Sequence, residues 1–286
     1  MKGCDIYIHI GFVKTGTTFL QKNFFERSNK VIYFSGEGFW NHDLSNQTEA
    51  DKLLISFEVI SGNPVSRDRV VGRKSYNWNN DFDTRIANLK RLFPDAKIIV
   101  GVREHQSFVL SLYKQYLHKG GTLNLKEFFS MKSTGLLSRE ELLYKPKFEA
   151  LQSHFRDIFV YDQRMLFKDC SGVLARLGDF MGVDFVSSLT GNTLTYENQG
   201  VKLVPGNILR YLNKLNYFLR AVPFLPTLNN GLFKKLRITP RELCQVRLNP
   251  AFKKDFSLDF AENEMKTFYR EDWNYVKTFI DNPSAA

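Results

Sequence analysis

The chain has 286 residues, 43% of them hydrophobic and 24% charged, with a formal net charge of +10. This balance excludes disordered and fibrous classes, and at this length about 75% of the unfolded surface can be buried, enough for a sizeable core. Three cysteines, Cys4, Cys170 and Cys244, lie far apart without CxxC or Cys/His ligand spacing, which suggests neither a disulfide framework nor a zinc site. No apolar run approaches the roughly 20 residues that span a bilayer, and the expected location is cytoplasmic.

The first predicted element is a strand from Asp5 to Gly11, apolar at Ile6, Ile8 and Ile10, which enters a loop and then a helical stretch from Thr17 to Glu26. Short apolar runs at Val31 to Phe34, Val70 to Val71, Lys97 to Val102 and Asp157 to Tyr161 predict further strands, with helical patterns between them. Such alternation implies an α/β fold with a parallel sheet and right-handed crossovers, like that of the P-loop nucleotide kinases. A helix from Gln106 to about His118 is closed by Gly120 and Gly121, and one from Ser171 to Met181 by Gly182. Beyond about Leu189, Asn, Gly and Pro punctuate two apolar and basic helices. One domain over residues 1–286 is expected, with a core at about 5–185 and a helical basic extension at about 190–286.

Within that extension, Ile208 to Val222 interrupts Leu and Tyr with Arg210, Lys214 and Arg220, the pattern of a docking helix. Residues 202–254 hold eleven Lys or Arg against one acid, Glu242, so this segment carries +10 and the remainder balances at zero. A field of that sign favours an anionic partner, here an acidic glycan, a lipid-linked acceptor or a peripheral membrane contact. No nucleic-acid motif accompanies it, so nucleic acid is not the expected partner.

The loop after the first strand reads Gly11-Phe12-Val13-Lys14-Thr15-Gly16-Thr17-Thr18. Between a strand and a helix it aims N–H groups and a helix N-terminus at one point, a site for phosphate or sulfate. An ATP-binding loop would carry its lysine just after the second glycine; Thr17 fills that slot, and the cation stands earlier, at Lys14. The strand from Lys97 to Val102 ends in Arg103, where a Mg²⁺ site would want a carboxylate. A metal-free site built from cations and N–H groups is expected. It suits a sulfuryl group, which carries less negative charge than a phosphoryl group.

Lys14-Thr15-Gly16-Thr17-Thr18 after the first strand, with Arg103 at a later strand end and Ser111 eight residues on, resembles the paired hallmarks of the sulfotransferases that use 3′-phosphoadenosine 5′-phosphosulfate (PAPS), in particular their bacterial soluble branch. Phe159-Val160-Tyr161-Asp162 and Leu177 to Val183 are similar to the family's later strand and helix, so the resemblance covers about residues 5–185. It implies transfer of a sulfuryl group from PAPS, as co-substrate, to a hydroxyl or amine of a glycan, glycolipid or small metabolite, by in-line displacement without a metal. Lys14 would offset charge on the departing group, Thr15 and Gly16 would give N–H donors, and Thr17 and Thr18 hydroxyls. Arg103 would grip the 3′-phosphate with Ser111, and Ser107, one helical turn earlier, could assist.

Transfer also needs a base on the acceptor side. The segment Gly36-Glu37-Gly38-Phe39-Trp40-Asn41-His42 offers two: Glu37 is placed like a glutamate of the heparan-type enzymes, and His42 like a histidine of bacterial relatives. Glu37 is preferred narrowly. Val71 to Tyr76 partly resembles a segment bordering the family's acceptor cleft but lacks its acid and proline, which leaves Lys74 a weak candidate. His9, between Ile8 and Ile10, reads as a satisfied core or sheet-face histidine, and His105, His118 and His154 show no metal spacing. Two other functions share parts of the pattern: a P-loop kinase or NTPase, and a basic nucleic-acid-binding protein.

Overall fold

The computed structural model describes residues 4–36, 52–66, 70, 77–189, 194, 200–221, 228, 235 and 239–281. Five parallel strands form one sheet in the order β2-β3-β1-β4-β5, with β1 at Asp5–His9, β2 at Ile32–Ser35, β3 at Lys52–Ser56, β4 at Lys97–Val102 and β5 at Ile158–Asp162. The expected α/β fold, a parallel sheet flanked by helices, is what the chain adopts. Alternate residues build its two faces: Ile8, Leu53, Ile55, Ile98 and Val100 enter one apolar core, while Tyr7, Leu54, Ile99 and Phe159 enter the other.

Two strand assignments differ from expectation. Val70 is helical, its N–H donating to the Ser66 carbonyl at 3.0 Å, and Val71 lies outside the described residues. The sheet instead uses Lys52–Ser56, with Leu53, Leu54 and Ile55 buried. That run carries no alternation because both of its faces are covered, as parallel strands require.

Helices α1 (Thr17–Leu20), α2 (Trp78–Leu92), α3 (His105–His118), α4 (Leu125–Phe128), α5 (Lys145–His154), α6 (Gln163–Lys168) and α7 (Cys170–Met181) accompany the sheet. The first continues through a π-helical stretch, Gln21–Phe25, so the predicted helix is present but wound differently. Glu104 caps α3, accepting from the N–H groups of Gln106 and Ser107, and fixes where it leaves β4. Its far end closes on left-handed Gly120 as predicted, with the Gly121 N–H on the Tyr116 carbonyl.

The C-terminal third contributes α8 (Leu203–Ala221), α9 (Glu262–Phe268) and α10 (Arg270–Asp281). Leu209, Met265, Val276 and Phe279 join the same apolar core as β1 and β4. Buried Asp272 on α10 accepts from His105 at 3.0 Å and from the N–H groups of Tyr144 and Lys145 at 2.9 and 2.8 Å. Burial alone would raise its carboxyl, but His105 and the two N–H groups outweigh it and hold the pKa below the ordinary value. Removing the acceptor leaves three buried donors unmatched, so Asp272→Ala should cost on the order of 3 kcal/mol in denaturant unfolding. A depressed aspartate stabilises fully above its unfolded value of about 3.9. The wild-type advantage should therefore persist at neutral pH and fade as pH falls through the lowered folded value.

Candidate active site

The loop between β1 and α1 lies where the sheet order reverses, with β3 on one side of β1 and β4 on the other. In open α/β sheets this switch point, at the carboxyl ends of the strands, is where ligands bind. Lys14 sits in the left-handed region at φ 68°, and Gly16 follows at φ 94°. For a lysine this costs about 1–2 kcal/mol, and such strain concentrates at functional loops.

A buried polar chain supports the loop from beneath. Thr15 Oγ1 donates to the Phe12 carbonyl at 2.6 Å, and His9 joins Ser56 Oγ through Nδ1 at 2.8 Å and the Tyr161 hydroxyl through Nε2 at 3.0 Å. Gly101, opposite Tyr161 in the β4–β5 register, makes room for this chain: a Cβ there would stand 2.5 Å from the Tyr161 hydroxyl and 2.6 Å from Thr15 Oγ1. His9 is wholly buried and its pKa is pushed down to about 3 by desolvation, so it is a neutral, satisfied sheet-face histidine as expected.

Above the loop opens a cavity of about 690 Å³ lined by Lys14, Gly16, Thr17, Thr18, Arg103, Ser107 and Ser111, among others. Seven predicted residues thus come together, while Thr15 lies buried beneath. Arg103 is held from several directions: Nε donates to Ser107 Oγ at 3.0 Å, Nη1 donates to the Lys14 carbonyl at 3.1 Å, and the Tyr144 hydroxyl brackets its backbone, accepting at 3.1 Å and donating at 2.7 Å. Lys22, Lys114, Lys119 and Arg241 add further cations to the lining, and Phe19, Leu110 and Phe167 supply apolar surface. The Lys14 pKa is lowered by burial, with Arg103, Arg241 and Lys114 adding repulsion against the attraction of Glu58.

Glu58 is the residue that sequence reasoning missed. It follows β3, the unrecognised strand, and lines the cavity beside the loop; a Cβ at Gly11 would lie 3.4 Å from its Cβ. Burial raises its carboxyl pKa above the usual value, against the pull of Lys14 and Lys119. A carboxylate thus stands among the cations and N–H groups of the loop, at a position other than the two expected for a base. Glu37, His42 and Lys74 lie outside the described residues. The strand before Glu37, β2, is separated from β1 by β3.

Several polar atoms of the lining await partners. Thr17 Oγ1, Gln115 Oε1 and His118 Nε2 are buried without a fully formed hydrogen bond to any described residue, although the Tyr161 hydroxyl lies near Thr17. An unmatched buried polar atom costs roughly 1–3 kcal/mol, so these atoms are points where a polar group or water in the cavity would pair. His118 also has its pKa pushed down to about 4, by burial first and then by Arg241, Lys14 and Lys114, so it is neutral at pH 7. Together with Arg241 and Gln245 it lines a second cavity of about 910 Å³, bounded also by Lys202, Asn249 and Phe252. Among the described residues no group of three or more His, Cys, Asp or Glu is placed to hold a metal ion.

No family model matches the chain, and no curated protein matches it in sequence. Among solved structures it is similar to a sulfotransferase from Alicyclobacillus acidocaldarius, at 12% identity and a TM-score of 0.41, over 77% of this chain and 93% of that one.

Proposed function

We propose that the chain transfers a sulfuryl group from PAPS to an acceptor hydroxyl or amine. The observation that carries this reading is the left-handed Lys14 in a loop at the sheet's switch point, its carbonyl tied to Arg103, with Ser107 and Ser111 lining the same cavity. PAPS carries anionic groups at two ends, and the lining offers a cluster of donors for each. The phosphosulfate would lie against the N–H groups of the loop, Lys14 and the hydroxyls of Thr17 and Thr18; the 3′-phosphate would take Arg103 and Ser111. Phe19, Leu110 and Phe167 give the nucleobase an apolar surface.

In the transfer the acceptor oxygen or nitrogen forms a bond to sulfur as the bond from sulfur to the bridging oxygen breaks. Lys14 would offset charge on the departing adenosine 3′,5′-bisphosphate, and a base would take the acceptor proton. Glu58 is assigned that base here, ahead of Glu37 and His42, because it already shares the cavity with Lys14 and its raised pKa makes it a stronger proton acceptor than an ordinary carboxylate. The acceptor would enter by the second cavity, past Arg241 and neutral His118.

A second reading, a P-loop kinase, gains from the same glutamate, since a carboxylate after the strand beside β1 could hold Mg²⁺. It lacks the lysine after Gly16. Thermal unfolding separates the two. PAPS or adenosine 3′,5′-bisphosphate at 100 times its dissociation constant should add about 2.7 kcal/mol of stability without Mg²⁺. Stabilisation by ATP with Mg²⁺ and by neither adenosine 3′-phosphate compound would establish the kinase instead.

A further inference from the structure

Helix α8, Leu203–Ala221, packs Leu203, Ile208, Leu209 and Leu212 against the core and leaves a second apolar face outward. Its inner face buries Leu209 with Asn213 and Asn216: Asn213 Nδ2 donates to the carbonyls of Leu117 and Gly121 at the end of α3, and Asn216 Oδ1 accepts from the Leu228 N–H. The outer face is apolar as well. At 100° per residue Val204, Tyr211, Leu215 and Phe218 fall within an arc of about 60° and form a stripe about 21 Å long. Their exposures are 38%, 61%, 47% and 64%; Tyr217, on the side of Arg210 and outside the stripe, reaches 69%. Scattered exposed apolar residues are ordinary, whereas a contiguous stripe this long marks an interaction surface.

The charge around the stripe selects its occupant. Arg210 and Lys214 flank it on one side, both over the Tyr211 ring at 4.8 and 6.0 Å. In sequence, the stretch 202–254 that contains α8 carries eleven cations and one acid. A second copy of the chain would bring the same positive field against it, so self-association through this face is opposed. An anionic lipid surface complements it in both respects: acyl chains and the headgroup boundary take Leu215 and Phe218, tyrosine rings sit at headgroup level, and the cations meet lipid phosphates. Among the described residues no helix is long and apolar enough to cross a membrane. The arrangement is therefore one that lies on a bilayer surface.

We propose that the outer face of α8 docks the protein on anionic membranes, with Val204, Tyr211, Leu215 and Phe218 entering the interface and exposed Lys214 facing the headgroups. Docking would bring α3, to which Asn213 ties the helix and which lines the cavity, to the membrane. The inference stands apart from the reaction assigned above. In flotation with vesicles, the protein should rise with phosphatidylcholine mixed with phosphatidylglycerol, far less with phosphatidylcholine alone, and less at high salt. The triple variant Tyr211→Ser, Leu215→Ser, Phe218→Ser should lose partitioning on the order of 10²-fold. Its melting temperature should stay near that of the wild type, because these side chains are exposed. Lys214→Gln should weaken binding several-fold and only to the anionic vesicles. Failure of the wild type to float with anionic vesicles would overturn the proposal, as would a triple variant that floats equally well. So would a wild type that sediments as a dimer in solution while the triple variant is a monomer, which would make the stripe a protein interface.

Discussion

Glu58→Gln should lower turnover by about 10² to 10⁴ while leaving donor affinity intact or slightly tighter. The two effects separate because Glu58 meets the donor site only through charge. Its carboxylate attracts Lys14 and so competes with the donor's anions; the amide of glutamine would remove that competition and also the base. Calorimetric titration of adenosine 3′,5′-bisphosphate reads the first effect and steady-state transfer the second. A pH profile gives a further check. Glu58 must be ionised to accept a proton, and burial raises its pKa, so kcat/KM for wild type should fall as pH drops through a value above the ordinary carboxylate range of about 4.3. That limb should vanish in the variant. Full activity of Glu58→Gln, with loss of activity in Glu37→Gln or His42→Ala, would return the role to the segment after β2.

The difference between what the sequence revealed and what it hid follows from periodicity. The loop from Gly11 to Thr18 is legible as a turn because its glycines and threonines stand between an apolar strand and a helix, and the place of Arg103 because it follows an apolar run. β3 is not: Lys52-Leu53-Leu54-Ile55-Ser56 is buried on both faces, shows no alternation, and reads equally as a piece of buried helix. With that strand hidden, Glu58 just beyond its end is hidden too, and the candidates left for the acceptor base are Glu37 and His42, which lie outside the described residues. Glu58 has no local signature at all. The role of the C-terminal helices is hidden for another reason: Asp272 reaches His105 and Tyr144 across 167 and 128 residues, and composition does not encode contacts of that range. The exposed stripe of α8 is likewise unreadable, because a helix apolar on two sides does not tell which of them tertiary packing buries.

Those long-range contacts would make the proposed donor grip a property of the whole chain, which Arg103 and Tyr144 can test together. Arg103→Ala should weaken binding of adenosine 3′,5′-bisphosphate by about 3 kcal/mol, on the order of 10²-fold, because it removes a charged donor from a largely desolvated anion site. Arg103→Lys should recover little of this. The guanidinium reaches the Lys14 carbonyl and Ser107 Oγ at once through two separate N–H groups, whereas an ammonium is a point charge on a flexible stem. Tyr144→Phe leaves the arginine in place but removes the hydroxyl that brackets its backbone N–H and carbonyl. The guanidinium should then be less well aimed, with donor affinity falling about 10-fold. Turnover at saturating donor should remain close to wild type, since nothing at Lys14 or Glu58 has changed. A purely structural role for Tyr144 would lower stability and leave donor affinity unaltered. Equal loss of kcat and affinity would place Tyr144 closer to the reacting atoms than its bonds to Arg103 imply.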